Sequence, residues 1–200
     1  MQPMATKLNA QEKQQVTEFI AGNTDSKKEY PLNMCGADRA GFDYSNHPFA
    51  TGWGIDYRNT RFIPGEVAQL EKTDLSKLEL KWDFAYPNMI RARSHPTLVG
   101  GGIVVGSQDG SVYFLDEESG CVSWVYRSSA EVRTGITVSN WSGDKKTAEA
   151  PVAYFADIIA RVHAVNLETG ELIWITKVDE HPNATATAQP VLYKGVIYQP

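Results

Sequence analysis

The sequence predicts an all-β fold, a partial β-propeller of about two four-stranded blades behind a short N-terminal helix. Three observations predict it. From residue 76 onward, short apolar runs recur at regular spacing and are separated by turn residues, with no helical period. One stretch occurs twice: Val112-Tyr-Phe-Leu-Asp-Glu-Glu-Ser-Gly-Cys-Val-Ser-Trp124 and Val162-His-Ala-Val-Asn-Leu-Glu-Thr-Gly-Glu-Leu-Ile-Trp174. The tryptophans that end the two copies are 50 residues apart, the span of one propeller blade.

Residues 1–22 read as a helix. Asn9 is an N-cap with Glu12 three positions on, Val16, Phe19 and Ile20 form an apolar stripe, and Gly22 stops the run. Residues 23–65 are rich in Asn, Asp, Ser, Gly and Pro. We read 23–50 as a linker and 51–200 as the propeller blades, entered through an irregular lead-in. Leu78–Phe84 alternates apolar and polar residues like a half-buried strand. Strands are then expected at His95–Val99, Gly102–Ser107, Ser111–Asp116 and Val122–Tyr126. The series repeats at Val152–Phe155, Arg161–Asn166 and Leu172–Thr176, and Pro190–Tyr193 with Gly195–Tyr198 opens another unit.

Each part of the repeat has a physical task. Asp116 and Asn166 accept hydrogen bonds from backbone just downstream and start a turn. Gly120 and Gly170 supply its left-handed residue. The tryptophan then spreads a large apolar surface between neighbouring blades.

Composition excludes several functions. The formal net charge of −5 argues against a nucleic-acid partner. No apolar run approaches the ~18 residues that span a bilayer, and no signal peptide is visible. The four histidines have neither zinc-like spacing nor an HExxH context. No GxSxG is present, and Gly100-Gly-Gly102 lies in a strand-to-strand turn, where it makes no phosphate loop. Cys35 and Cys121 form no CxxC, and the sequence leaves a disulfide between them undecided.

The repeat grammar, Asp/Asn-x-x-Ser/Thr-Gly-x-x-x-Trp, resembles the tryptophan-docking motif of pyrroloquinoline quinone (PQQ)-dependent quinoprotein dehydrogenase propellers. Trp53-Gly-Ile-Asp, Asn59-Thr-Arg61, Gly120-Cys-Val-Ser-Trp124 and Val178-Asp-Glu-His-Pro182 are most similar to the polyvinyl-alcohol dehydrogenase branch. That resemblance implies an eight-bladed ring, of which this chain would be a fragment. It also implies PQQ and Ca²⁺ as cofactors, an alcohol or polymer substrate, a cytochrome c electron acceptor and a periplasmic or secreted location. Met1 and Met4 ahead of the helix are similar to the tail of a cytochrome c domain, where a methionine ligates haem c. No Cys-x-x-Cys-His is present, so such a haem would belong to an upstream domain. Two blades leave edges and apolar faces uncovered, so the isolated chain is expected to be unstable and to bind no PQQ.

The resemblance places two cofactor-binding residues. Arg133, in Glu131-Val-Arg-Thr-Gly-Ile136, matches the family's cofactor arginine, whose planar fork pairs with a carboxylate; a salt bridge to a neighbouring acid is the other reading. Thr187, in Ala186-Thr-Ala-Gln-Pro190, matches a hydroxyl that bonds the quinone, and a strand-edge threonine is the alternative. His95 is placed in the equivalent register of the first blade, with Arg91 and Arg93 upstream; these side chains face the central pocket on one reading and belong to a loop at the propeller rim on the other. Where the alcohol dehydrogenases have a carboxylate, Arg93 reverses the charge, and Arg127-Ser128 stand in place of an adjacent cysteine pair. No residue of this chain is assigned as a metal ligand or as the catalytic base. The same repeats also build non-catalytic propellers, so a protein-binding or outer-membrane assembly scaffold is the alternative function.

Overall fold

The computed structural model describes residues 9–21, 31–37, 41–50, 53–55, 58, 60–87, 89–146 and 149–200. The chain divides into two units, 1–31 and 32–200. In the first, a helix runs over Ala10–Ala21. Its start is chemical: the Glu12 backbone N–H donates to Asn9 Oδ1 and the Asn9 N–H donates to Glu12 Oε2, both at 2.8 Å. The side chains of Val16, Phe19 and Ile20 lie outside the described part, as do Met1 and Met4.

The second unit is built from antiparallel sheets. Strands β1 (Thr97–Val99), β2 (Gly102–Gly106), β3 (Ser111–Asp116) and β4 (Val122–Arg127) form the first in the order β1-β2-β3-β4. Strands β5 (Thr137–Val138), β6 (Val152–Ala156), β7 (Arg161–Asn166) and β8 (Leu172–Lys177) repeat that order. A hairpin of β9 (Val191–Tyr193) and β10 (Val196–Tyr198) follows. The repeat extends to irregularities: the β3–β4 and β7–β8 ladders each shift register once, at Phe114/Leu115 and Ala164/Val165, with Ser123 and Ile173 as the extra residues. Periodicity does not show β5, whose run Thr137-Val138 is too short to carry a period; this opening strand of the second blade, expected over Glu131–Ile136 from the resemblance, starts at Thr137, just past that stretch.

The turns behave as their chemistry demands. Asp116 Oδ1 accepts the Ser119 N–H at 2.7 Å, and Asn166 Oδ1 accepts those of Glu168 and Thr169 at 2.9 and 3.1 Å. Gly120 and Gly170 follow with φ of +69° and +76°. Each glycine has a second reason to lack a side chain. A Cβ at Gly170 would lie 2.7 Å from Cδ2 of Trp124, and one at Gly120 would lie 2.6 Å from Cδ2 of Trp82. The indoles are pinned at the far end too. Trp124 Nε1 donates to Leu167 O and Trp82 Nε1 donates to Glu117 O, both at 3.0 Å.

This docking builds the core between the sheets. Val99, Val104, Val112, Phe114 and Trp124 of the first pack against Ile136, Val138, Ala153, Phe155, Val165 and Leu167 of the second. Trp124 is 7% exposed there, whereas Trp174, its counterpart on β8, is 39% exposed. The difference is coverage: Trp124 has a second sheet over it, and β8 presents Leu172, Ile173 and Ile175 to solvent as well.

Two expectations differ from the structure. Leu78–Phe84 forms no strand. It pairs in no ladder with the described residues; Trp82 and Phe84 hold it by packing with Tyr113, Leu115 and Val122 on one face of the first sheet, with Lys81 paired to Glu118 at 2.6 Å. Residues 32–37 and 41–50 do not behave as a linker. Met34 bridges to Val122, Cys35 is disulfide-bonded to Cys121, and the Asp43 N–H donates to Gly100 O at 2.9 Å. Phe42, Tyr44 and Trp141 then pack edge to face around the first core, with Trp141 Nε1 donating to Tyr44 O at 2.9 Å. The apolar anchors are isolated residues among polar ones, so no periodic pattern betrays them.

Trp124→Ala should cost about 3–5 kcal/mol of stability in the complete polypeptide that carries this chain. Gly170→Ala should also destabilise, because the methyl both meets the indole and takes a positive φ. Denaturant unfolding monitored by circular dichroism checks both; an unchanged midpoint for either would show that the docking contributes little.

Candidate functional site

The inner strands are laced together by side-chain hydroxyls, and this lacing defines which residues are equivalent. Thr97 Oγ1 donates to Ile136 O at 2.7 Å, and Thr137 Oγ1 donates in the same way to Pro190 O. Ser94 Oγ accepts the Gly106 N–H at 3.0 Å, as Thr134 Oγ1 accepts that of Ala156 at 3.2 Å. Thr97 therefore matches Thr137, and Ile136 matches Pro190. Counting back four residues from Thr97 and Thr137, and three from Ile136 and Pro190, puts Arg93, Arg133 and Thr187 at one position of three successive inner strands.

His95 is thus not in the register of Thr187, as the sequence reading had it. It matches Gly135 and Gln189, each immediately before the position of Pro96, Ile136 and Pro190. Aligning the two Gln/His-Pro dipeptides would have shown this.

Arg93, Arg133 and Thr187 converge on one cavity of about 390 Å³, completed by Trp53, Gly135, Ala188 and Gln189. Arg133 stands in the extended run just before β5. Its guanidinium donates through Nη2 to Glu131 Oε2 at 2.5 Å, so the salt bridge read as its alternative role exists. That pair leaves much unspent. Arg133 Nε is buried without a protein partner, and so is Gln189 Oε1. The Gln189 amide is held by its nitrogen, which donates to Ile136 O at 3.0 Å and Thr137 Oγ1 at 3.1 Å. Gly135 makes room for it, since a Cβ there would come within 2.2 Å of Gln189 Oε1. Arg93 is exposed and makes no hydrogen bond or ion pair with any described residue.

A smaller cavity of about 240 Å³ adjoins this one across Trp53, lined by Gly54, Ile55, Arg61, Ile63 and His95. The Trp53 and His95 rings meet edge to face with centroids 5.1 Å apart. The larger cavity therefore has an aromatic wall, two guanidiniums, an amide oxygen and a hydroxyl. That set suits a flat, polyanionic ligand.

Beside it, the two blades share a buried polar network that the sequence did not reveal. Asp157 and His163 are both fully buried, with Nε2 and Oδ2 3.0 Å apart. His163 Nδ1 faces the Tyr126 hydroxyl at 2.9 Å. Ser128 Oγ donates to Asp157 Oδ2 at 3.0 Å, and Arg161 pairs with the same carboxylate while donating to Ser129 Oγ at 2.7 Å. Burial alone would raise the Asp157 pKa. The bonds from His163, Arg161 and Ser128 outweigh it and hold the carboxyl well below the usual range. Ser128 stands where the resemblance placed a cysteine, so here that position ties one blade to the next.

Among the described residues no three His, Cys, Asp or Glu side chains converge as a metal site. A Ca²⁺ ion does not fit the residues of this cavity, whose formal charges are those of Arg93 and Arg133 with Glu131 behind.

Comparison with known proteins agrees with the propeller fold. The PQQ_2 family model, described as outer membrane protein assembly factor BamB, matches residues 31–199. A polyvinylalcohol dehydrogenase of Pseudomonas sp is 29% identical over all of this chain and 33% of its own length. Another, from Sphingopyxis sp. (strain 113P3), is 31% identical over 74% of the chain and 22% of its own length. The chain thus spans about a third or less of these relatives. The quinohemoprotein alcohol dehydrogenase ADHIIG of Pseudomonas putida HK5 superposes with a TM-score of 0.59 at 21% identity. The superposition covers 84% of this chain and 25% of that one, and shows the shared propeller fold.

Asp157→Ala should destabilise the complete polypeptide by about 3–5 kcal/mol at pH 7, since it leaves Arg161 and His163 uncompensated. The pH dependence has a definite sign. Because the folded pKa lies below the unfolded one, the Asp157 contribution is complete above about pH 4 and is lost as the pH falls further. Unfolding curves between pH 3 and pH 7 check this; a variant with the same acid slope as the parent would contradict it.

Proposed function

The chain belongs to the PQQ_2 propeller-repeat family, and from that premise we propose that it forms the opening blades of a PQQ-dependent alcohol dehydrogenase. The observation that carries this reading is the cavity in which Arg133 Nε and Gln189 Oε1 are buried without partners beside Arg93, Thr187 and Trp53. When bound, PQQ supplies a two-electron oxidant, so that an alcohol becomes the carbonyl compound while the quinone is reduced to the quinol.

The residues of this chain hold and orient that group. Arg133 offers Nε to a carboxylate while Glu131 keeps the fork aimed inward. Thr187 presents a hydroxyl at the equivalent position of the next strand. Trp53 lines one side with an aromatic ring. Ca²⁺ and haem c, implied by the resemblance, would need ligands that the described residues do not supply. Electrons would leave for a cytochrome c. The substrate is an alcohol or an alcohol-bearing polymer, in line with the names of the polyvinylalcohol dehydrogenases. A periplasmic or secreted location suits the Cys35–Cys121 disulfide, a bond that persists in oxidising compartments.

The description of the family model favours one other reading, a propeller that binds proteins in outer-membrane assembly. The two differ in a measurable way. The complete polypeptide, supplied with PQQ and Ca²⁺, should reduce an artificial dye only when a secondary alcohol is present, and Arg133→Ala should lower that rate at least about 100-fold. No alcohol-dependent reduction across a panel of secondary alcohols would overturn the dehydrogenase and leave the scaffold.

A further inference from the structure

The inner-strand register makes Arg93 the first blade's counterpart of Arg133. Both side chains line the same cavity, and they differ in one respect. Arg133 spends part of its fork on Glu131, whereas Arg93 has no hydrogen bond or ion pair among the described residues. An arginine on a loop rim ordinarily finds an acid or extends into solvent. This one is carried by Arg93-Ser94, and Ser94 is fastened at both ends, donating to Thr134 O at 2.7 Å while accepting from Gly106 at 3.0 Å. The backbone that aims Arg93 is therefore as fixed as the one that aims Arg133. Two cationic forks from neighbouring blades, with the carboxylate of Glu131 on Arg133 alone, leave the cavity a net positive charge and call for an anion with at least two acceptor groups.

We propose that Arg93 is a second carboxylate-binding residue of the cofactor site, acting with Arg133 so that two blades grip two carboxylates of one planar ligand. The proposal rests on the PQQ reading above. It assigns to Arg93 the charge compensation that a carboxylate at this position would oppose. Arg93 is a positioning and affinity residue, and the redox step itself does not pass through it.

The test is equilibrium dialysis of PQQ against the complete polypeptide, read independently by quenching of tryptophan fluorescence. Arg93→Glu should weaken PQQ binding by about 10- to 100-fold, and Arg93→Lys, which keeps the charge and loses the fork, should fall between it and the parent. Arg91→Glu is the control, since Arg91 sits two residues away and does not line the cavity. It should bind PQQ as the parent does. Because Arg93 holds nothing else in place, its variants should unfold at the parent's midpoint, which separates a binding effect from misfolding. Parent-like affinity in both Arg93 variants would overturn the inference while leaving the PQQ site standing. An equal loss in Arg91→Glu would reduce it to long-range attraction and overturn it as well. A parent that binds no PQQ would remove the underlying reading and the inference together.

Discussion

One indole laid on one glycine carries the arrangement of this molecule. Trp124 reaches across from the last strand of its sheet to a residue without a Cβ, and its N–H closes on the carbonyl of Leu167. The same contact joins Trp82 to Gly120 and Glu117. Two fixed points, one van der Waals and one hydrogen-bonded, set the distance and the stagger of successive blades. The hydroxyls of Ser94, Thr97 and Thr137 can then reach the next inner strand, and these bonds bring position 93 of the first blade beside 133 and 187. The cavity is a consequence of the stagger, made by no single blade.

The polar interior follows from the same geometry. Asp157, His163 and Ser128 lie between blades, where no water reaches the carboxylate, so it is ionised only because several donors surround it. Such a network is sensitive to misalignment. It penalises any packing in which the sheets slide, since a shift of one residue would strand a buried charge. Apolar contacts between Phe114, Trp124, Phe155 and Leu167 provide adhesion, and the network adds a preference for one register.

Legibility in the sequence tracked periodicity. The twice-written Asp/Asn-Gly-Trp grammar is local, so its turns, glycines and strands could be read with their physical roles. The docking of 32–37 and 41–50 was hidden because Met34, Cys35, Phe42 and Tyr44 are scattered among polar residues and take hold at Val122, Cys121, Phe114 and Glu168, and a polar segment with scattered anchors reads as a linker. Leu78–Phe84 misled in the opposite sense, since alternation shows what a strand would bury and does not supply its neighbour. In the cavity, Arg133 and Thr187 came from resemblance. Gln189 did not stand out because it acts across a glycine of another blade, and Trp53, part of a motif that carries the resemblance, gave no sign in the lead-in that it lines the cavity. Asp157 and His163 sit in ordinary strand and turn positions, and only the stacking of blades shows that they meet.

On the proposed function, the stagger of the blades creates one anion-binding cavity from three equivalent positions. A crystal structure of the complete polypeptide grown with PQQ tests it most directly. The account predicts the ring system against Trp53, one carboxylate within hydrogen-bond reach of Arg133 Nε and another at Arg93. A ligand bound elsewhere, or a cavity in which Arg133 and Gln189 have turned to satisfy each other, would contradict it.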